Sequence, residues 1–128
     1  RYMDDFYLIH HDRGYLRFCL ECITEMVSSL KLSLNGKTQI CPFKNGMSFL
    51  GFHHYITPDG KYIRRLKSEN KRKAKKKIRS MAKMVKSGKM SDKDFYQRYE
   101  AWKNHASHGN CKKLIFSMDQ MVQKTMEG

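Results

Sequence analysis

The chain opens with two short apolar runs, at residues 1–3 and 6–9, that are separated only by Asp4 and Asp5. Apolar and aromatic runs of this length around a polar pair predict two strands joined by a tight turn. An acidic turn between apolar strands is therefore the first element that we expect.

A helical spacing replaces this pattern after Asp12, which stands where an N-cap is expected. Apolar side chains recur at intervals of three and four and predict a helix from about residue 14 to 32 with one buried face. Asn35 and Gly36 supply turn chemistry after it. The expected buried face comprises Tyr15, Phe18, Cys19, Cys22, Ile23, Met26, Val27 and Leu30.

The next stretch is typical of short strands and turns. We expect a strand at residues 38–41, a hairpin turn at 44–46 and a second strand at 48–56. The Pro-Asp-Gly sequence at residues 58–60 predicts a further turn into a strand at 61–65.

Helical periodicity then returns and persists. It predicts a helix over residues 66–86 that stops at Gly88, a second helix capped by Ser91-x-x-Asp94, and a third at 112–126. The fold class that we predict is therefore α+β, with strands followed by three helices. Expected inward positions are Ala74, Ile78, Met81, Ala82 and Val85, then Phe95, Tyr99, Trp102 and Ala106, then Leu114, Met118, Met121, Val122 and Thr125.

Charge divides the chain near residue 60. The net charge is +14, and residues 1–60 contribute six basic and six acidic side chains, which cancel. Residues 61–89 alone carry fourteen basic side chains against Glu69. A concentration of this kind indicates a polyanionic partner. A basic amphipathic helix lying on an anionic membrane is the alternative.

The cysteines and histidines do not predict a metal site. Cys19 and Cys22 form a CxxC, but no second pair follows at the spacing of a zinc site. We expect both to be small apolar residues on the buried helical face. His53 and His54 have no neighbouring ligand in the sequence, so we do not expect them to bind metal.

Asp4 and Asp5 are the residues with the clearest chemistry. Adjacent carboxylates repel each other, and each raises the pKa of the other unless a cation neutralises them. A hard divalent ion such as Mg²⁺ is the natural partner. The alternative for an isolated pair is a solvated acidic loop.

Three segments of the sequence form a series of motifs: Tyr-Met-Asp-Asp with apolar flanks within residues 1–9, Leu-Asn-Gly-Lys-Thr at 34–38 and Phe-Leu-Gly-Phe at 49–52. In this order they resemble the Tyr-x-Asp-Asp motif, the loop after the palm helix and the primer-grip hairpin of reverse transcriptases. The resemblance is to the bacterial branch, which comprises group II intron, retron and diversity-generating retroelement enzymes. The resemblance implies that residues 1–60 are the end of a polymerase palm and residues 61–128 a basic three-helix thumb.

The resemblance also implies roles in catalysis. Asp4 would coordinate a pair of Mg²⁺ ions for nucleotidyl transfer to a primer 3′-hydroxyl, with Asp5 as a weaker ligand or structural partner. Tyr2 would pack under the turn against the primer terminus, and Met3 would face the incoming nucleotide or the primer end. Lys37 is either a general acid for the leaving pyrophosphate or a solvent-exposed lysine of the turn.

Further implied roles concern the nucleic acid. Gly51 would let the primer backbone approach closely, or would mark an ordinary strand bulge. Primer contacts are expected at Phe49, Leu50, Gly51 and Phe52. A polymerase must hold any sequence, so basic side chains are expected to contact phosphate rather than bases. These are Arg64, Arg65, Lys71, Arg72, Lys73, Lys75, Lys76, Lys77 and Arg79.

The function implied is that of a fragment of an RNA-directed DNA polymerase, in the bacterial cytoplasm, with RNA template, DNA primer and dNTP as partners and no membrane. We expect it to be inactive alone, because the fingers and the first palm aspartate are missing. The alternative is a non-catalytic RNA-binding module derived from a reverse transcriptase.

Overall fold

The computed structural model describes residues 3–128, which fall into two compact units divided between Pro42 and Phe43. The structure therefore groups the strands that follow Phe43 with the basic helices, whereas the step in charge lies near residue 60. The assignment of residues 1–60 to a palm and 61–128 to a thumb stays a prediction.

The acidic turn is present, but the strand predicted after it is not. Met3 and Asp4 lie in a turn and Asp5 is an isolated bridge residue, while residues 6–9 belong to no strand. Extended backbone forms a ladder only when a neighbouring strand pairs with its N–H and C=O groups. No strand in the described part of the chain pairs with residues 6–9. The first predicted strand falls partly on residues 1–2, outside the described residues.

Helix α1 comprises Arg13–Ser29. Its predicted cap is confirmed, because the Asp12 carboxylate accepts hydrogen bonds from the backbone N–H groups of Gly14 and Tyr15 at 2.7 and 3.2 Å. The helix ends before the predicted residue 32, since Lys31 adopts a positive φ of 58°.

The predicted buried face of α1 is wrong, because none of its residues is buried. Phe18 is 59% exposed and Met26 is 65% exposed. Cys22 is exposed and Cys19 only half-buried, so neither is a core residue. No second helix or strand is found among residues 3–42 to cover this face.

The turn at Asn35 and Gly36 is confirmed, whereas the strand predicted at residues 38–41 is absent. The carbonyl of Asn35 accepts a hydrogen bond from the N–H of Thr38 at 2.9 Å, and the Asn35 side chain accepts one from the N–H of Lys37 at 2.9 Å. Residues 38–41 have no partner strand in the described chain, so they remain irregular.

The second unit contains a three-stranded antiparallel sheet in the order β1-β2-β3. Its strands are Met47–Phe49, Phe52–Ile56 and Tyr62–Leu66. The single strand predicted at residues 48–56 is wrong, because the chain reverses at Leu50 and Gly51 and pairs Phe49 with Phe52. The turn predicted at 44–46 is instead a single 3₁₀ turn at Phe43–Asn45. The reversal at residues 58–60 is confirmed.

Three helices follow the sheet. They are α2 at Ser68–Lys86, α3 at Asp92–Ser107 and α4 at Lys112–Glu127, so the α+β class is confirmed. The cap of α3 is also confirmed, with the Ser91 hydroxyl accepting a hydrogen bond from the N–H of Asp94 at 3.1 Å. In a capping box the acidic side chain accepts a hydrogen bond from the backbone N–H of the cap residue. Here the Asp94 carboxylate instead accepts one from the Ser91 hydroxyl, at 2.7 Å.

Most of the predicted inward residues of the three helices form one core, whereas Ala106 of α3 lies in a second one. Phe95 and Met118 are fully buried between them, and the apolar stripe of α2 packs against both. The Tyr99 hydroxyl donates to Asp119 at 2.8 Å and connects α3 to α4. Burial and this hydrogen bond raise the pKa of Tyr99. Buried members are Ala74, Ile78, Met81, Ala82, Phe95, Tyr99, Met118 and Val122.

A second core joins the sheet to the loop between α3 and α4. Phe52 and Leu66 pack there with Ala106 and Cys111. The loop also extends the sheet edge, because Asn110 accepts through its side chain from the Arg64 N–H at 2.8 Å and donates its own N–H to the Arg64 carbonyl at 2.6 Å.

Within residues 3–128, none of the helices combines the length and the apolar character that crossing a membrane requires.

Gly109 lies at the closest approach of this loop to the sheet. A Cβ atom there would lie 2.7 Å from the Phe52 ring and 2.8 Å from the Arg64 carbonyl oxygen. We expect Gly109→Ala to lower the free energy of unfolding by about 1–3 kcal/mol, the usual cost of overpacking. Gly36→Ala adds the same methyl group where nothing lies within 4 Å and should have little effect. Urea denaturation compares the two, and equal stabilities would contradict this account of the loop.

Candidate nucleic-acid interface

The β1–β2 turn is fastened to the first turn of α2. The Gly51 carbonyl accepts hydrogen bonds from the backbone N–H of Lys67 and the side-chain amide of Asn70, both at 3.1 Å. Two donors thus share one acceptor, so the hairpin tip and the start of α2 are positioned together.

Gly51 has a local structural reason to be glycine. Its φ is +82°, and an added Cβ would lie 3.0 Å from the Asn70 amide nitrogen. It occupies the second position of a two-residue turn rather than a bulge, and Leu50 at the first position also has a positive φ of 50°. Two positive φ angles are the requirement of a type I′ hairpin turn.

The apolar side chains of the β1–β2 hairpin differ in how far they are exposed to solvent. Phe52 is 4% exposed and belongs to the second core, and Phe49 is half-buried. Leu50 is 47% exposed and projects from the turn. Of the four residues predicted to contact the primer, Leu50 is thus the large apolar side chain that the turn presents to solvent.

Most basic side chains of α2 lie on its solvent side. Because successive residues are about 100° apart, Arg72, Lys76, Arg79 and Lys83 form one row opposite the buried stripe. All four are exposed. Lys71 and Lys75 are half-buried at one edge of the helix, and Lys73 and Lys77 lie exposed toward the other.

This basic surface is poorly neutralised. Among the described residues, the one ion pair made by α2 joins Lys73 to Glu69 at 2.5 Å. Hydrogen bonding from Lys73 lowers the pKa of Glu69, which therefore stays ionised as the single acid of the helix. The remaining lysines and arginines of α2 keep their charges available for an anionic partner.

Arg64 and Arg65, although consecutive, point to opposite faces of the sheet. The Arg64 guanidinium lies 5.5 Å from the centre of the Phe52 ring, on the face that packs against the helices. The Arg65 guanidinium lies 5.8 Å from the centre of the Tyr55 ring, on the other face. The structure therefore does not bring the two predicted phosphate contacts together.

Asp4, Asp5 and Lys37 belong to the first unit and are all exposed. Met3 adopts a positive φ of 50° within the acidic turn, and Tyr2 lies outside the described residues. Carboxylate oxygens suit Mg²⁺. Across residues 3–128, however, no three His, Cys, Asp or Glu side chains are grouped so that they could hold a metal ion. The described residues thus offer two acidic ligands and not a complete metal site.

The sequence did not lead us to predict a polar face of the sheet, opposite the face that carries Phe52, as a candidate site. His53 and Tyr55 lie on it with Arg65, and the two rings are 5.8 Å apart. The alternation of side chains along a strand was the signal that could have found them, since residues two apart share a face.

Comparisons of this chain with protein-family models, curated proteins and solved structures found no match. The resemblance to reverse transcriptases therefore rests on the motifs of the sequence.

Leu50 carries backbone strain that can be tested directly. A left-handed conformation costs a non-glycine residue roughly 1–2 kcal/mol, and asparagine tolerates it better than most. We expect Leu50→Asn to raise the free energy of unfolding by about 0.5–1 kcal/mol. Leu50→Ala removes the same exposed side chain but keeps the strain, so it should bring no gain. A stability of Leu50→Asn at or below that of Leu50→Ala would contradict the turn geometry.

Proposed function

We propose that this chain is part of an RNA-directed DNA polymerase and that its second unit holds the primer–template duplex by the sugar-phosphate backbone. One observation carries the proposal. The Phe-Leu-Gly-Phe segment forms a tight hairpin whose turn is hydrogen-bonded to the start of a helix with a basic solvent face. A hairpin at this segment followed by a basic helix supports the primer-grip and thumb assignment that the resemblance implies.

The row on α2 suits a backbone rather than a base sequence. From Arg72 to Lys83 it extends roughly 16 Å at the rise of an α-helix. Phosphates on one strand follow at about 3.4 Å along the duplex axis, so the row can meet several of them. Lysine and arginine contacts of this kind hold any sequence and leave the template to be read by base pairing.

The apolar stripe of α2 also bears on the membrane alternative. A helix lying on a lipid surface needs its apolar face exposed to the acyl chains. Ile78 and Met81 are instead 3% and 5% exposed, in the core of the three helices. The exposed side of α2 is therefore the basic one.

Catalysis is the second part of the proposal. Asp4 and Asp5 contribute carboxylate oxygens to the Mg²⁺ site of the complete polymerase, where the metal supplies Lewis-acid chemistry for nucleotidyl transfer. Lys37 either protonates the leaving pyrophosphate or remains a solvated lysine of its turn.

The same observation favours a second candidate, a non-catalytic RNA-binding module. Such a module needs the basic surface of α2 but no metal site. Both candidates predict the same affinity for nucleic acid. Only the polymerase predicts that replacing Asp4 lowers the primer-extension activity of the complete protein.

Binding by α2 should depend steeply on salt, because each neutralised phosphate releases counterions. Replacing Arg72, Lys76 and Arg79 with Gln should flatten the slope of log K against log salt by about two to three units on an RNA–DNA duplex. The control replaces Lys93, Lys112 and Lys113 with Gln. These lysines are exposed on α3 and α4, and their replacement removes the same amount of positive charge. An equal change in both variants would indicate a general effect of net charge and would contradict a contact surface on α2.

Asp4→Asn tests the catalytic part in the polymerase that contains this chain. We expect Mg²⁺-dependent extension of a DNA primer on an RNA template to fall by at least about a hundredfold, because a lost metal ligand removes several kcal/mol of stabilisation. Duplex affinity should stay within roughly tenfold. Asp92→Asn, an exposed acid in the first turn of α3, is the matched control. Robust extension by Asp4→Asn would remove the assignment and favour the RNA-binding module.

A further inference from the structure

A groove of about 640 Å³ lies within the second unit, between the polar face of the sheet, the 3₁₀ turn and the first turn of α2. We call it the sheet groove. It is separate from the row of basic residues on the solvent side of α2. Its basic and aromatic lining residues are Lys44, His53, Tyr55, Arg65, Lys67 and Lys71.

The sheet groove is positively charged and contains no acid. Its cations come from separate elements, with Lys44 on the 3₁₀ turn, Arg65 on β3, and Lys67 and Lys71 at the start of α2. Glu69 pairs with Lys73 and also interacts electrostatically with Lys67, while Asp59 pairs with Lys61 at 3.0 Å. Among residues 3–128, none of the four groove cations takes part in an ion pair.

The floor of the groove carries planar groups. Tyr55 is half-buried, the His53 ring lies 5.8 Å from it at an angle of 32°, and the Arg65 guanidinium lies 5.8 Å from its centre on the same face. Aromatic rings and guanidinium planes are the surfaces on which nucleic-acid bases stack.

The groove walls are held in place by contacts already described. The far face of β2 is fixed by Phe52 in the second core, and Lys67 is fixed by its hydrogen bond to the Gly51 carbonyl. The fold therefore sets the backbone positions of β2 and of the start of α2 before a ligand binds.

We propose that the sheet groove binds a single-stranded segment of nucleic acid, with phosphates on Lys44, Lys67 and Lys71 and a base stacked on Tyr55 and His53. Positive charge around an aromatic floor is the combination that recognises single strands. A duplex keeps the faces of its bases inside the stack, so it cannot place a base on Tyr55. The proposal does not require the chain to be a polymerase, and it goes beyond the duplex contact on α2.

The test measures binding of a fluorescent oligothymidylate of about 12 nucleotides by anisotropy. Tyr55→Ala should weaken binding about fivefold or more, because stacking on one aromatic side chain is worth roughly that factor or above. Binding of inorganic polyphosphate by the same variant should change less than about twofold, since the cations remain. Tyr55→Trp keeps a planar surface and should retain affinity for the oligonucleotide, which separates loss of stacking from loss of fold.

The matched control is Tyr62→Ala, a tyrosine on the adjacent strand that is 55% exposed on the opposite face of the sheet. Equal losses for Tyr55→Ala and Tyr62→Ala would overturn the proposal, as would an equal loss for polyphosphate, which would leave an anion site without base stacking. Absence of oligonucleotide binding by the wild-type chain would also overturn it. The α2 triple variant, measured on duplex, reports the proposed function separately.

Discussion

The contact between the α3–α4 loop and the sheet determines how the second unit is assembled. Gly109 allows the loop to approach the Phe52 ring, and Asn110 bonds to Arg64 through both its side chain and its backbone. This contact closes the second core over Phe52 and thereby fixes one face of the sheet. The sheet groove lies on the other face, where Tyr55 is half-buried and Arg65 is exposed.

The burial of the α2 stripe explains where the charge is presented. Ala74, Ile78 and Met81 can enter the helical core only if the lysines between them turn outward. A net charge of +14 makes the compact state repel itself, and the apolar core has to offset that repulsion. A polyanion relieves the same repulsion when it binds. In the proposed function, the basic side chains that lower the stability of the fold are therefore the ones that raise its affinity for nucleic acid.

The hairpin turn shows a related conflict at a single residue. Leu50 keeps a strained backbone and an exposed apolar side chain, although asparagine or glycine would suit the turn better. Strain of this kind is commonly retained at functional positions. Its neighbour Gly51 fits the turn and accepts hydrogen bonds from Lys67 and Asn70, so the backbone strain is confined to Leu50, whose side chain is exposed.

Local signals in the sequence were sufficient wherever an element depends on neighbouring residues. Asp12 and Ser91 were identified as caps, and Pro58 and Gly60 as parts of a turn, because each depends on bonds within a few residues. Sequence motifs also singled out Asp4, Asp5 and the hairpin at 49–52 as candidate sites.

Tertiary structure alone decided the features that need a distant partner. A strand exists only where another strand pairs with it, so residues 38–41 stayed irregular and residues 48–56 folded back on themselves. The face of α1 is apolar, but burial requires an element to cover it, and none lies among residues 3–42. The meeting of Lys44, Tyr55 and Lys67 in one groove follows from strand register and packing between elements, which no local pattern encodes.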